Sequence, residues 1–151
     1  MKLIIHSFHR KSESSVTQLE EKYLGRLKPY CRVEMVNHKS WIEAGKLSKR
    51  GMNNFKKITE AADFLVVLSE RGKQVDSREF AAFFSSQQRM GLSVISFIVG
   101  PAEGLPNEIE SQADMKLSLS KLTLPHELAR LFLLEAIYRS FDILKGGKYH
   151  K

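Results

Sequence analysis

The chain has 151 residues, 42% of them hydrophobic, which is the size of one globular domain that can bury a core without disulfides or metals. It carries 24 lysines and arginines against 17 aspartates and glutamates, and this net charge of +7 favours a polyanionic partner, either nucleic acid or an anionic membrane surface. The whole excess lies in residues 1–75, where 15 basic side chains stand against 8 acidic ones. A solvated face explains this asymmetry as well as an RNA-docking surface does.

The single cysteine, Cys31, excludes an intramolecular disulfide and fits a reducing compartment. Its alternation with Val33 and Met35 predicts a buried strand position. The apolar stretch at the amino end is too short for a signal peptide, and no run approaches the roughly 20 apolar residues of a membrane span. We therefore expect a cytoplasmic protein that does not enter a membrane.

Hydrophobic periodicity predicts alternating strands and helices along the chain. The predicted strands are residues 2–8, 32–36, 63–68, 93–99 and 115–119, and the predicted helices are residues 14–27, 77–90 and 125–145. The third and fourth strands are nearly continuous apolar runs, so they should be buried on both faces and joined by a right-handed parallel crossover. Ser77 is placed to cap the helix between them. The fold class is a single α/β domain, residues 1–151, around a parallel sheet flanked by helices.

Two further segments carry expectations of their own. Residues 46–50 hold three basic side chains, and Gly51 and Asn53–Asn54 should interrupt any helix, which predicts an exposed, mobile segment suited to RNA contact. In the last helix, residues 131–134 are consecutively apolar and cannot all face one sheet. A second apolar partner, another subunit, is implied.

Chemistry-bearing residues cluster in the last third of the chain, in residues 99–105, 117–126 and 147–151. Ligands of open α/β sheets bind beyond the carboxyl ends of strands, so two loops that leave adjacent strands there could enclose one ligand. The glycine-bearing turn at residues 100–104 is equally common as a purely structural feature. Gly146-Gly147-Lys148-Tyr149 is not a phosphate loop, because tyrosine replaces the metal-binding serine or threonine and no helix follows.

The runs L-S-L-S-K-L-T-L-P-H-E-L-A-R and L-L-E-A-I-Y-R-S and the terminal Y-H-K resemble the RlmH family of SPOUT methyltransferases. The resemblance covers the whole length and is strongest from Phe97 onward. It implies a carboxyl-terminal trefoil knot, S-adenosylmethionine as cofactor, a homodimer, and N3 methylation of a pseudouridine in 23S ribosomal RNA. A non-catalytic SPOUT-shaped protein that binds RNA or the ribosome is the alternative.

The resemblance also assigns residues. Those implied to bind the cofactor are Leu68, Gly100, Pro101, Gly104, Leu119, Ser120, Lys121, Leu122, Thr123, Leu124 and Pro125. Without the resemblance, the leucines among them read as ordinary core. Pro101 departs from the family, which usually has a second glycine there, and proline lacks the N–H that a cofactor could bind. Lys148 and Lys151 stand where proline and arginine are usual in the family.

Methyl transfer to an imide nitrogen needs alignment and removal of one proton. His150 is the proposed base, because an imidazole accepts a proton near neutral pH, and Tyr149, Lys151 and Arg130 complete the catalytic candidates. The residues expected to contact RNA are His126, Arg139, Lys145 and Lys148. For Arg130 and Arg139, a salt bridge at the surface or at an interface is an equally good interpretation. No metal site is expected, since His6, His9 and His38 form no convincing ligand set.

Overall fold

The computed structural model describes residues 1–8, 13–39, 41–43, 46–101 and 104–151. Its centre is a five-stranded sheet whose neighbouring strands all pair in parallel, in the order β2-β1-β6-β5-β7. The strands are β1 (Lys2–Ser7), β2 (Arg32–Asn37), β5 (Phe64–Gln74), β6 (Val94–Val99) and β7 (Met115–Ser118), and a short antiparallel hairpin adds β3 (Ile42–Glu43) and β4 (Lys46–Leu47). The predicted α/β fold with a parallel sheet is confirmed.

Helices cover both faces of this sheet. One face carries α1 (Ser14–Leu27), α3 (Ser77–Arg89) and α5 (His126–Leu144), which bury a core with the side chains of β1, β5 and β6. The other face carries α2 (Lys49–Ala61) and the single turn α4 (Asn107–Glu110). Within the described residues, no helix is both long enough and apolar enough to cross a membrane.

Two predictions about helices are wrong. Helix α3 is capped by Asp76 instead of Ser77, since the Asp76 carboxylate accepts from the amides of Arg78 and Glu79 while the Glu79 side chain accepts from the Asp76 amide. That reciprocal pair is a capping box and satisfies two N–H groups of the helix end.

The second error concerns α2, because the predicted mobile segment is ordered in β4 and in this helix. Gly51 does not break α2: a Cβ there would lie 2.7 Å from both the Cβ and the backbone carbonyl of Trp41, so glycine allows the helix to pack closely against this residue. Phe55 and Ile58 are buried on the same side, and Ser48 caps the helix through the Gly51 amide at 3.0 Å. Tertiary packing therefore overrides the low helix propensity of these residues.

Strand β5 continues well beyond its predicted end at Leu68. It pairs with β7 twice, first Leu68 with Leu117 and then, past an irregularity, Lys73 with Leu117. Gly72 lies at this crossing, where a Cβ would be 2.7 Å from the carbonyl of Lys116. The two chain segments touch backbone to backbone, and glycine permits that contact. The trefoil knot remains a prediction.

The apolar run in α5 divides between two environments, as predicted. Leu133 and Leu134 are fully buried against the sheet, whereas Phe132 is 48% exposed. Phe132 and Leu131 line a concave apolar surface that also includes exposed Leu19 and Leu128. We call this the α5 surface. It gives the molecule an apolar face that the described part of the chain leaves open to solvent.

Candidate active site

A cavity of about 310 Å³ opens at the carboxyl ends of β5, β6 and β7. The predicted cofactor residues that line it are Leu68, Gly100, Pro101, Gly104, Leu119, Ser120, Leu122, Thr123 and Leu124, together with His126 from the predicted RNA set. Lys121 and Pro125 lie in the same loop with exposed side chains and are not in its lining. The loops that enclose it leave β6 and β7, which are separated by β5 and are not adjacent as expected.

Hydroxyl groups hold the loop that follows β7. The Ser118 hydroxyl donates to the Ser120 carbonyl at 2.9 Å, and the Ser120 hydroxyl accepts from the Leu122 amide at 2.9 Å. The Thr123 hydroxyl donates to the Glu70 carboxylate at 3.0 Å, which ties the loop to the extension of β5. The two bonds within the loop are local and give its backbone a fixed turn outside regular structure. The loop is therefore shaped before any ligand arrives.

The conformation of the loop after β6 accounts for the residue types at Gly100, Pro101 and Gly104. A Cβ on Gly100 would meet the Leu105 side chain at 2.7 Å, so this glycine makes room for the loop's own leucine. Gly104 has a φ of +86° and donates its amide to the Pro101 carbonyl at 2.9 Å. Pro101 thus takes part in the turn through its carbonyl and needs no N–H. Ala102 and Glu103 lie outside the described residues.

Charged groups that sequence analysis missed also line the cavity. Glu70 and Arg71 come from the β5 extension, and Glu110 comes from α4. Glu110 is buried, with Arg71 at 3.7 Å and Lys116 at 3.9 Å. The polar sequence Ser-Glu-Arg after an apolar strand was the available signal.

The terminal tail folds back along α5. Its turn is fixed by Asp142, whose carbonyl accepts from the Gly147 amide at 2.8 Å and whose carboxylate accepts from the Tyr149 amide at 3.0 Å. The Tyr149 hydroxyl lies 2.9 Å from the Glu135 carboxylate and 3.3 Å from the Tyr23 hydroxyl. Burial and these two contacts raise the pKa of Tyr149, so its phenol stays protonated and serves as a donor instead of a base.

Arg139 joins the tail to the helix. Its guanidinium bonds Glu135 and lies over the Tyr149 ring, 4.7 Å from the ring centroid. The Glu135 bond raises the pKa of Arg139, which therefore keeps its charge. His150 approaches the same guanidinium, with Nδ1 3.5 Å from Nη1. Lys145, Lys148 and Lys151 are exposed beyond this cluster.

Arg130, one of the catalytic candidates, is only 3% exposed. It forms two bonds to the Glu20 carboxylate, the longer of them 2.9 Å, and its Nη1 donates to Ser7 at 3.2 Å and to Asn37 at 3.1 Å. These contacts fix α5 and α1 to the ends of β1 and β2. Arg130 does form a salt bridge, but it is buried within the chain and not at the surface as the sequence interpretation had it.

Among the described residues no group of three or more His, Cys, Asp and Glu side chains could hold a metal ion. His6 and His38 do form a pair, with His6 Nδ1 2.9 Å from His38 Nε2 and the rings stacked. Burial, followed by the neighbouring charge of His38, lowers the pKa of His6 to about 4. His9 lies outside the described residues.

A parallel sheet with a built cavity at its carboxyl edge defines an α/β protein that binds a small ligand there. Residues 1–150 match the family described as predicted SPOUT methyltransferase, and the chain belongs to that family. It is therefore a methyltransferase enzyme, and its cofactor is S-adenosylmethionine.

Several relatives are similar over most of the chain. The Ribosomal RNA large subunit methyltransferase H of Carboxydothermus hydrogenoformans is 41% identical over 139 residues, which cover 86% of this chain and 87% of the relative. The protein of the same name from Koribacter versatilis is 38% identical and covers 99% of this chain and 98% of the relative.

Solved structures share the fold. A probable methyltransferase from Bordetella pertussis Tohama I superimposes with a TM-score of 0.57 at 10% identity, covering 93% of this chain and 95% of that structure. A probable methylase family protein from Haemophilus influenzae Rd KW20 also gives 0.57, at 12% identity, covering 99% of this chain and 70% of that structure.

The cavity fits S-adenosylmethionine in size and chemistry. Its volume of about 310 Å³ falls within the range of small-molecule sites. Leu122 is 76% exposed at the cavity wall and offers an apolar surface that a purine ring would cover. Serine and threonine hydroxyls and loop backbone groups lie beside the leucines, which is the mixture that a nucleoside requires.

Proposed function

We propose that this chain transfers the methyl group of S-adenosylmethionine to N3 of a pseudouridine in large-subunit (23S) ribosomal RNA. The observation that carries the proposal is the strand-end cavity, which is lined by Leu68, by Gly100, Pro101 and Gly104 after β6, and by Leu119, Ser120, Leu122, Thr123 and Leu124 after β7. The names of the two relatives, both large-subunit ribosomal RNA methyltransferases, support the substrate. Such a substrate places the reaction in the cytoplasm.

The predicted cofactor residues that line the cavity, which we call the cofactor cradle, would hold the cofactor mainly through main-chain groups. Leu119, Leu122 and Leu124 would flank the purine, while backbone groups of residues 120–125 would meet its polar edge. Ser120 and Thr123 would keep the loop in shape through the bonds to Leu122 and Glu70. When bound, the cofactor supplies an electrophilic methyl group, so the remaining task of the chain is to orient the attacking nitrogen.

Proton removal falls to the tail in this proposal. His150 would accept the proton from N3, because an imidazole works as a base near neutral pH. Arg139 and Lys151 would stabilise the negative charge that develops on the imide. Tyr149 would orient the tail, since it donates to Glu135 and its ring packs against Tyr138 at 4.9 Å.

We further propose that the active site is completed by a second copy of the chain. His126 begins α5 at the cavity, whereas the tail contacts the helix from Glu135 to Asp142. Nine residues of helix separate His126 from Glu135, which is roughly 13 Å at ~1.5 Å per residue. The described residues that line the cavity include none from the tail of the same chain, which supports a tail that ends short of its own cavity.

Packing of the α5 surface against its copy would bring the tail of one chain to the cavity of the other. The α5 surface runs from Leu119 and Leu124 at the cavity, past Leu128 and Phe132, to Arg139 beside the tail. An isologous dimer places a self-complementary surface against its copy about a two-fold axis. If two α5 helices packed antiparallel about Phe132, Arg139 of one copy would lie opposite Pro125 of the other. Each tail would then cover the partner's cavity.

The experiment uses ribosomes from cells that lack the gene for this protein, so that the pseudouridine is present and unmethylated. Purified protein and methyl-labelled S-adenosylmethionine should place one methyl group on a pseudouridine of the large-subunit RNA, located by nuclease digestion and mass spectrometry. Saturable heat in a titration with S-adenosylmethionine should accompany it. RNA binding without cofactor heat or methyl transfer would instead favour the non-catalytic alternative.

A further inference from the structure

One strongly charged surface lies outside the cavity and the tail. Residues 46–57 hold five cations and no acidic residue. These cations are Lys46 on β4 and Lys49, Arg50, Lys56 and Lys57 on α2, and all five side chains are exposed. We call them the basic patch. It accounts for most of the net charge of the protein.

The basic patch is presented by a firmly packed helix. The opposite side of α2 buries Gly51, Phe55 and Ile58 in a cluster with Trp41 and Phe8. Four of the five cations, Lys49, Arg50, Lys56 and Lys57, are thus held on one face of a helix whose other face is part of the core. Their spacing is fixed by the helix rather than by a mobile loop.

The charges of the patch are barely compensated. For the four cations on α2, an acidic oxygen of a described side chain lies within 4 Å only of Lys56, where Glu60 is at 3.7 Å. That pair is exposed on both sides and contributes little to stability. Uncompensated like charges repel one another, so the patch does not serve the stability of α2.

The patch begins at the same edge of the sheet as the cavity. The Ser48 amide donates to the Trp41 carbonyl at 2.7 Å, and the Trp41 ring packs against Phe8 at 4.7 Å. Phe8 directly follows β1, so the first turn of α2 lies at the carboxyl edge. The helix then runs toward the amino edge, because Asp63, just after it, donates its amide to Val94 at the start of β6.

We propose that the basic patch binds backbone phosphates of the RNA substrate beside the methylated nucleotide. This inference rests on the proposed function. Phosphate contacts by lysine and arginine fix the position and orientation of a nucleic acid without reading its sequence. A group of cations with little acidic compensation that starts at the carboxyl edge of the sheet suits that task. The patch therefore increases the affinity for RNA and does not affect cofactor binding or the chemical step.

The test is the variant K49Q/R50Q/K56Q/K57Q, which removes four charges and keeps Ser48 and the buried side of α2. Each phosphate contact adds about 0.7 to 0.9 to the slope of log K against log salt concentration, so the slope should fall by roughly 3. The RNA used is large-subunit ribosomal RNA from cells that lack the gene. The KM for RNA should rise at least about tenfold, with kcat and the Kd for S-adenosylmethionine within about twofold of wild type.

A matched control is K22Q/K28Q/R32Q/R89Q, which removes four exposed charges at α1, β2 and the end of α3. Its salt slope should stay closer to wild type. The variant K49R/K56R/K57R should keep the wild-type slope, since arginine retains each charge. Far-ultraviolet circular dichroism checks that every variant is folded.

Several results would overturn the inference. If wild type methylates ribosomal RNA and the patch variant keeps its KM and salt slope, the inference alone fails. An equal loss in the control would make net charge, and not the patch, the cause. Vesicles of phosphatidylglycerol test the other anionic partner: binding that needs the patch, with RNA binding unchanged, would assign it to a membrane. A wild type that binds cofactor but never binds or methylates ribosomal RNA contradicts the proposed function itself.

Discussion

The hydroxyl of Tyr149 donates a 2.9 Å hydrogen bond to the carboxylate of Glu135, fourteen residues earlier in the chain. The same carboxylate binds Arg139, whose guanidinium lies over the Tyr149 ring. A terminus that is usually free is therefore docked on α5. His150 and Lys151, the residues proposed to act on the RNA, are carried by this docked segment.

The docking of the tail on α5 should depend on Gly147. A Cβ at this position would lie 1.9 Å from the Asp142 carboxylate, which receives the Tyr149 amide. Gly147→Ala should release the tail and lower kcat for RNA methylation by tenfold or more, whereas the Kd for S-adenosylmethionine stays within about twofold. Steady-state kinetics measure kcat, and calorimetry measures the Kd. Gly25→Ala is the control, since a Cβ there meets nothing within 4 Å, and it should leave both unchanged.

The Glu20–Arg130 pair should be a stability element. Glu20→Ala removes the buried carboxylate that Arg130 binds through two hydrogen bonds, and breaking a buried pair this way costs about 3 to 5 kcal/mol. Urea unfolding measures the loss. Glu60→Ala, which breaks the exposed pair with Lys56, should cost less than about 1 kcal/mol. Equal effects of the two substitutions would mean that burial of the first pair does not matter.

Acid should destabilise the fold through His6. Its pKa is lowered by burial and then by His38, from 6.5 to about 4, so the unfolded chain binds the proton more readily than the folded chain does. The resulting stability is complete above pH 6.5 and is lost as the pH falls toward 4. Between pH 8 and pH 5 the loss is about 2 kcal/mol. Urea unfolding of wild type and His6→Gln at both values measures it, and an equal pH dependence in the two proteins would rule His6 out.

Pro101 should be compatible with cofactor binding. Its carbonyl closes the turn with Gly104, so the missing N–H is not needed there. We expect Pro101→Gly to change the Kd for S-adenosylmethionine by less than about tenfold, because glycine costs loop entropy and adds one donor. Calorimetric titration checks this. A wild type that fails to bind while Pro101→Gly binds well would favour the non-catalytic alternative.

The sequence predicts the regular elements better than their ends. Helix α1 lies at its predicted bounds, residues 14–27, because apolar residues recur there at helical spacing. Helix α2 was missed because glycine has a low helix propensity. At Gly51 this cost is outweighed, since only glycine allows the helix to pack this closely against Trp41. The extension of β5 was missed because its polar residues pair with β7 at a crossing that no local pattern records.

The candidate site was likewise predicted only in part. The predicted cofactor residues were implied by resemblance and not by periodicity, and most of them line one cavity. The Glu20 partner of Arg130 is 110 residues away in sequence, so no spacing rule could have found it. The docking of Tyr149 on Glu135 likewise depends on a turn set by Asp142 and Gly147.

The most direct test of the central claim, a methyltransferase site shared between two copies, is a mixing experiment. One subunit lacks Tyr149–Lys151 and keeps its cavity, and the other carries Ser120→Trp to block the cavity and keeps its tail. Each variant alone should be inactive, and calorimetry should show that only the first binds S-adenosylmethionine.

In the shared arrangement the intact tail of the blocked subunit covers the intact cavity of its partner. Random exchange of subunits in an isologous dimer makes half of the dimers mixed, each with one working site, so about a quarter of the wild-type activity should return. Native mass spectrometry confirms that mixed dimers form. Mixed dimers without recovered methyl transfer, or a protein that stays monomeric at micromolar concentration, would contradict the account.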